Sequence, residues 1–307
     1  MQLRRRQILA LGSLVATFPR AALAGDGRVV LGRFTTTYSS EAEHKTRAFN
    51  VELAAGAIDG RAIAPGATFS YNAAVGERTA AFGYAKSVVL RDGMIAEGVG
   101  GGACQVASTL HAAALLAGLD VVARAPHSRP SAYIRMGLDA TVVFPKIDLA
   151  LRNPRGEPVT LRARAAKGSL EAWIDARGVT RPEVSLRSEI LDRVPFARII
   201  ERDRAIGDDK AHRTAFGVPG YRVRRTREVR AEGVVARRDV RIDTYPPTNE
   251  ILRVAPTFDT SRLSGPPEDP NAEESTPAEI VVEPGATRPA LVQLRPTTVI
   301  ALDNGVW

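Results

Sequence analysis

Hydrophobic and polar positions change their spacing several times along the chain, and each spacing predicts a different element. Residues 28–37 alternate weakly and predict a first strand, whereas residues 43–58 place Phe49, Leu53 and Ile58 on one face of a helix. Other short runs predict strands at 68–72, 87–90, 121–124, 140–144 and 148–151, and a hairpin over 158–174 that turns at Lys167-Gly168-Ser169. We therefore expect residues 28–178 to form an α+β domain with a mostly antiparallel sheet.

One stretch differs from the rest, because a glycine-rich segment runs directly into an Ala- and Leu-rich segment of helical spacing. Glycine occupies positions 98, 100, 101 and 102, and the apolar run continues to a stop signal at Gly118. We expect a central helix from about Ala103, with Cys104 in its first turn. The free N–H groups and partial positive charge there lower the pKa of a thiol and stabilise an oxyanion. The first turn of this helix is therefore a position that favours a thiolate nucleophile.

The C-terminal half has a different composition. Residues 181–258 are rich in arginine and β-branched residues, with turn signals at Pro219-Gly220 and Glu232-Gly233, so they predict a small all-β second domain. Residues 259–289 are acidic and rich in proline, and they predict a disordered linker. Residues 290–307 regain strand character and predict a C-terminal strand pair.

Residues 1–24 have the features of an export signal. Arginines at 4, 5 and 6 precede an apolar run, and Ala22-Leu23-Ala24 is typical of a cleavage site. The paired arginines favour a twin-arginine signal over a general secretory one. The mature protein is therefore expected in the periplasmic or extracellular envelope, at most peripheral to the membrane.

Charge and cysteine content exclude several classes of protein. The net charge is +8, but residues 1–24 carry four arginines and no acid, and without them it is +4. With aromatics at only 6%, the chain lacks the composition of a nucleic-acid interface, and we expect no nucleic acid as partner. A single cysteine excludes an intramolecular disulfide framework and a multi-cysteine metal site, so we expect no metal and no cofactor.

A thiolate nucleophile needs a base, usually a histidine, and a group that orients the base. His111 lies on the predicted face of Cys104 but roughly 10 Å further along the helix axis, too far for a direct bond. His44 has no recognisable partner, and His212 has the setting of a surface side chain. His127 lies in a proline-flanked loop, and Asp139 follows at the entrance of the predicted strand 140–144. The order nucleophile, base and orienting acid is thus Cys104, His127 and Asp139.

The same region offers groups for a substrate or an oxyanion. Gln105 and the backbone N–H groups of the helix start are candidate donors. The full candidate set is Gly100, Gly101, Gly102, Gln105, Ser108 and Ser128. Two other interpretations stay open: the glycines let two backbones pack around Cys104 as a small core residue, or the thiol has a redox or metal role.

Seven motifs together resemble the VanW family. They cover about residues 43–165 and are Phe69–Asn72, Val75–Thr79, Gly83-Tyr84, Gly100–Leu110, Arg124–Ser128, Gly137–Val142 and Asp148–Asn153. Family members usually have Gly-Arg-Asp where this chain has Gly137-Leu138-Asp139, so an arginine that could hold an anion is missing there. The second domain is similar to a glycine-containing extracellular module thought to bind amino-sugar polymers.

The resemblance implies a role in the bacterial cell envelope, since the family takes its name from a member of a vancomycin-resistance gene cluster. It implies peptidoglycan or its stem peptides as partner, and the order of Cys104, His127 and Asp139 resembles transglutaminase-like and papain-like enzymes. We therefore expect a thiol acyl-transferase or amidase-like enzyme. The alternative is a non-catalytic module in which the glycine loop and His127 line a groove for a wall polymer.

Overall fold

The computed structural model describes residues 27–91, 94–207, 210–231, 233–263, 265 and 278–282. The predicted signal at 1–24 and the predicted strand pair at 290–307 lie outside these residues. The described part is mostly β with few helices, arranged as several sheets that are almost entirely antiparallel. The helices are α1 (Lys45–Ile58), α2 (Tyr71–Val75) and α3 (Ala103–Leu116). In the described ranges, no helix combines the length and apolar character that a membrane crossing requires.

Among the described residues, nine strands precede residue 178. They are β1 (Arg28–Thr37), β2 (Ala62–Ile63), β3 (Thr68–Ser70), β4 (Lys86–Arg91), β5 (Met94–Val99), β6 (Asp120–Ala123), β7 (Ala150–Arg152), β8 (Val159–Ala166) and β9 (Ser169–Arg177). The main sheet has the order β1-β9-β8-β2, and α1 and α3 pack against it. β3, β7 and β6 form a smaller sheet, and β4 pairs with β5. The predicted strand at 28–37 and the predicted hairpin, which turns at Lys167 and Gly168, are confirmed.

Helix α3 lies at the centre of this part of the molecule. Its sequence is Ala- and Leu-rich, and all of its residues except Cys104 are buried. Gly102 forms the N-cap with φ +107°, and the helix ends before Gly118, which has φ +77°. Both backbone conformations favour glycine, so these two glycines set the start and the end of the helix.

Residues 140–144 do not form the strand that the alternating pattern predicts. Two of their backbone N–H groups donate to side chains of α3 and not to a neighbouring strand. Ala140 donates to Ser108 Oγ (2.8 Å) and Val142 donates to Cys104 Sγ (3.5 Å). Thr141 donates to the Ala125 carbonyl in an isolated bridge. Asp139 is therefore at the start of an extended segment held across α3, not at the entrance of a strand.

Seven further strands lie beyond residue 180. They are β10 (Glu183–Val194), β11 (Arg198–Arg202), β12 (Ala211–Ala215), β13 (Gly220–Ala231), β14 (Val234–Tyr245), β15 (Glu250–Val254) and β16 (Ala278–Val282). One sheet has the order β14-β13-β10-β16 and the other the order β11-β15-β12, in which only β11 and β15 are parallel. Leu186 of β10 packs against Leu115 and Leu116, so the first of these sheets contacts α3.

Strand β16 falls in the segment that composition predicts to be a disordered linker, and for residues 278–282 that prediction is wrong. The sequence Ala-Glu-Ile-Val-Val is rich in β-branched residues, and it pairs antiparallel with β10 from Val184 to Ser188. The open edge of β10 supplies the hydrogen-bonding partners that an isolated short strand lacks. Asp259–Arg262 are ordered as well, since Asp259 caps a 3₁₀ turn at Thr260–Arg262.

Candidate functional site

Cys104 is the second residue of α3 and is partly exposed. Its Sγ accepts a bond from the Val142 N–H at 3.5 Å and lies 3.6 Å from the Val142 carbonyl oxygen. Gly102 accepts the N–H groups of Gln105 and Val106, and none of the backbone bonds found among the described residues uses the N–H of Cys104. The thiol therefore sits beside a free N–H donor at the positive end of a helix.

His127 and Asp139 meet behind the thiol. The imidazole Nδ1 of His127 lies 2.8 Å from Asp139 Oδ2, and the same oxygen accepts the His127 backbone N–H at 2.7 Å. His127 also interacts electrostatically with Cys104, and each shifts the pKa of the other. Because Nδ1 faces Asp139, Nε2 is the ring nitrogen left to interact with the thiol. The structure thus brings together the three side chains that the sequence nominates.

Asp139 is held by groups from both halves of the chain. Its Oδ1 accepts bonds from Arg124 (2.8 Å) and from the Tyr245 hydroxyl (2.6 Å). Arg124 donates in turn to Asp243 at 2.5 Å, and Tyr245 accepts the Gly137 N–H at 2.8 Å. All these side chains are buried. Tyr245 and Asp243 belong to β14, so the C-terminal sheet helps to position Asp139.

The site stabilises a thiolate–imidazolium pair. Burial raises the pKa of Cys104, but the hydrogen bond and charge of His127, the Val142 N–H and the charge of Arg78 outweigh it, and the pKa is lowered. Burial lowers the pKa of His127, but Tyr133, Asp139 and Cys104 raise it well above its usual value. These opposite shifts favour the ionised thiol and the protonated imidazole.

The same contacts keep Asp139 ionised. Burial raises the pKa of its carboxyl, but the hydrogen bond from His127 and the charge of Arg124 hold it well below the usual range. An ionised Asp139 fixes the Nδ1–H tautomer of His127, which leaves Nε2 for the thiol.

Tyr133 closes the site on the side of Nε2. Its hydroxyl lies 3.3 Å from His127 Nε2, and the two rings pack edge to face at 84°. Burial raises the pKa of Tyr133, so the phenol stays protonated and can donate a hydrogen bond to a group bound beside the thiol.

Two of the proposed substrate or oxyanion residues have their polar atoms committed elsewhere. Gln105 is buried, and its amide donates to Thr36 Oγ1 (3.0 Å) and the Thr37 carbonyl (2.8 Å), so it ties α3 to β1. Ser108 is buried as well and bonds the Cys104 carbonyl (2.7 Å) and the Ala140 N–H. Neither side chain is free to bind a substrate, because helical spacing turns both into the core.

The other candidates differ in their exposure to solvent. Ser128 follows His127 in the chain and is exposed. Gly100 and Gly101 are buried in the loop before α3 and Gly102 is partly exposed. The packing interpretation of the glycines is correct in part, since Gly102 lies against Val51 of α1, where an added Cβ would come within 2.6 Å of Val51 Cγ2.

The remaining histidines lie away from the thiol, as the sequence predicts. His111 is fully buried, with Nδ1 2.7 Å from the Leu138 carbonyl oxygen. His212 is exposed on β12, and His44 precedes α1. Within the described ranges, no three or more histidine, cysteine or acidic side chains cluster in a way that would hold a metal ion.

Comparison with known proteins finds a family model that covers the site. Residues 46–174 match the family model described as VanW like protein. This stretch is a VanW-like domain. It contains Cys104, His127 and Asp139, and the resemblance drawn from the sequence motifs is confirmed.

Two relatives share this stretch. The protein named "Uncharacterized protein YoaR" of Bacillus subtilis (strain 168) is 41% identical over 140 residues, which is 46% of this chain and 46% of that protein. The "Vancomycin B-type resistance protein VanW" of Enterococcus faecalis (strain ATCC 700802 / V583) is 31% identical over 114 residues, 36% of this chain and 42% of that protein. The chain spans less than half the length of these curated relatives.

Two solved structures of G5 domains also match part of the chain. They are the G5 domain of IgA1 protease, with 18% identity and a TM-score of 0.18, and the G5 domain of HP0197, with 19% identity and a TM-score of 0.15. Each match covers 24% of this chain, and 92% and 99% of the respective domain. TM-scores this low do not establish a shared fold.

Proposed function

We propose that this protein is exported to the cell envelope and that Cys104 catalyses acyl transfer or amide hydrolysis on the stem peptides of peptidoglycan. The observation that carries the proposal is the partly exposed thiol at the start of α3, in electrostatic contact with a histidine that a buried aspartate orients. A core cysteine needs neither the histidine nor the free N–H. The name of the Enterococcus relative supports a substrate in the cell wall.

The chemistry would proceed through a thioester. The Cys104 thiolate attacks the amide carbonyl carbon, and the Cys104 N–H and the Tyr133 hydroxyl stabilise the oxygen anion that forms. The C–N bond then breaks as His127 Nε2–H gives its proton to the leaving amine. Water or an acceptor amine attacks the thioester, His127 removes its proton, and the thiolate is released.

Incubation with soluble peptidoglycan fragments tests this proposal. Mass spectrometry should detect an acyl adduct on Cys104 in the wild type and new hydrolysed or transferred products. Cys104→Ser should abolish both, because a serine hydroxyl in this setting is not ionised. Arg164→Gln on an exposed face of β8 serves as the control and should leave both intact.

The alternative of a wall-binding module predicts a different result. If Cys104→Ser processes or binds the fragments as the wild type does and no adduct forms, the thiol has no catalytic part. The chain would then act through binding alone.

A further inference from the structure

Two arginines lie beside the thiol without an acidic partner. Arg47 Nη2 donates to Gln105 Oε1 at 2.8 Å, and Arg78 Nη1 donates to Asn72 Oδ1 at 2.7 Å and to the Gly76 carbonyl at 2.8 Å. Both are partly buried. Across the described ranges neither forms an ion pair with an aspartate or glutamate, whereas the buried Arg124 binds two aspartates.

The glycine loop packs against the segments that carry both arginines. An added Cβ at Gly100 would lie 2.5 Å from Arg78 Cβ, and one at Gly102 would lie 3.3 Å from the Arg47 carbonyl oxygen. Larger residues would push the two arginine-bearing segments away from the start of α3. The loop therefore does more than begin a helix, because it lets both arginine-bearing segments pack against the start of α3.

Arg78 also contacts the extended segment that contains Val142. Its guanidinium carbon lies 5.9 Å from the centre of the Phe144 ring, two residues after Val142, which donates to Sγ. Both arginines interact electrostatically with Cys104. His127 already supplies the thiolate with a counter-ion, so the two extra cations exceed what a nucleophile needs. Partly buried guanidinium groups of this kind match a carboxylate ligand.

We propose that Arg47 and Arg78 form a subsite for a carboxylate of the substrate, next to the carbonyl that Cys104 attacks. The assignment of an acyl substrate rests on the proposed function, and the subsite adds its chemical class. The substrate is a peptide with a free carboxylate close to the scissile amide. Binding that carboxylate places the carbonyl over Sγ and excludes neutral analogues.

Alkylation of Cys104 tests the subsite without any peptide. Iodoacetate and iodoacetamide react with the same thiolate, but only iodoacetate carries a carboxylate. We expect the ratio of the two rate constants to exceed the ratio for free glutathione by about tenfold at low salt and to decrease as salt is added. A change in the pKa of the thiol alters both rates equally and cancels in the ratio.

Variants assign the effect to the two arginines. Arg47→Gln and Arg78→Gln should each lower the ratio about three- to fivefold. Arg47→Lys and Arg78→Lys keep the positive charge and should retain most of the increase in the ratio. Arg164→Gln should not change the ratio. If the thiol reacts readily with iodoacetamide but the ratio is the same in all variants, the subsite is wrong and the proposed function stands. A thiol that reacts with neither reagent until unfolding overturns both.

Discussion

Two buried histidines contact neighbouring residues and are driven to opposite charge states. His127 binds the Asp139 carboxylate and Cys104, and its pKa is raised well above the usual value. His111 binds the carbonyl of Leu138, the residue before Asp139, and its pKa is lowered well below the usual value. Burial lowers the pKa in both cases, so burial does not explain the difference.

The neighbouring charges explain it. Arg225 Nη1 lies 3.4 Å from His111 Nε2, and Arg124 adds a second positive charge that opposes protonation of His111. His127 instead contacts the Asp139 carboxylate, which belongs to the same buried network. Arg124 therefore acts on both histidines: it keeps Asp139 ionised for one and disfavours the charged form of the other. A buried histidine becomes a candidate base through its partners, and only His127 has them.

The largest expected effect comes from removing the Asp139 carboxylate, which binds Arg124 and His127. Asp139→Asn leaves the fully buried Arg124 with half of its charge partners, and we expect the free energy of unfolding to fall by about 3–5 kcal/mol. Asp175→Asn is a matched control, because Asp175 is also buried but its partners Arg28 and Arg162 are 28% and 30% exposed. That control should lose about 1 kcal/mol. Denaturant titration measures both, and equal losses would contradict the buried network.

The next effect distinguishes the histidines by their action on the thiol. His127→Asn removes the counter-ion of the thiolate, and we expect alkylation of Cys104 by iodoacetamide at pH 6 to slow about 30-fold, since each unit of thiol pKa changes the thiolate fraction tenfold. His111→Asn should change the rate less than about twofold, because no contact links His111 to Cys104 in the described part of the chain. Equal rates in the two variants would show that His127 does not activate the thiol.

A smaller effect tests how much the hydrogen bond from Tyr245 of β14 to Asp139, the partner of His127, contributes to stability. Tyr245→Phe removes a hydrogen bond to an ionised carboxylate and leaves the Gly137 N–H unpaired, so the free energy of unfolding should fall by about 2 kcal/mol. Tyr71→Phe removes a bond to a neutral acceptor, the Ala103 carbonyl, and should lose about 1 kcal/mol. Thermal or chemical unfolding of the pair gives the comparison, and the reverse order would argue against an ionised Asp139.

The smallest effect is the pH dependence that His111 causes. Its pKa is lower in the folded state than the value of about 6.5 in the unfolded state, so the unfolded chain binds the proton first. Stability should therefore decrease as pH falls below about 6.5, by about 1–2 kcal/mol at pH 5. His111→Asn should reduce this loss, and Arg225→Leu should raise the pKa of His111 in an NMR titration. If His111 titrates near pH 6.5 in the wild type, Arg124 and Arg225 do not disfavour its protonation and the explanation is wrong.

The sequence was informative about local features of the site. Glycines before an alanine-rich run predict the start of α3, and Cys104, His127 and Asp139 were found in chain order from residue types and spacing. Proximity to Cys104 in sequence makes Gln105 a candidate oxyanion donor, but proximity in sequence does not determine the helix face. Its side chain points inward to Thr36 and Thr37.

Long-range contacts could not be read from the sequence. Tyr245 is 106 residues from Asp139, and Asp243 is 119 residues from Arg124. An arginine-rich strand pattern predicts solvent-facing cations, and the packing of β13 against α3 is what buries Arg225 and Arg227. The segment 140–144 alternates like a strand, but the helix side chains that bind its N–H groups are distant in sequence.

The pairing of β16 with β10 has a consequence for how the protein can be shortened. β10 also packs against α3 through Leu186, so one strand joins the helix that bears the thiol to the last described segment of the chain. Truncation after residue 265 would leave the backbone N–H and C=O groups of Val184–Ser188 unpaired at an exposed strand edge. A strand of a second copy could pair with this edge. A shortened chain made for crystallisation is therefore expected to self-associate through this edge.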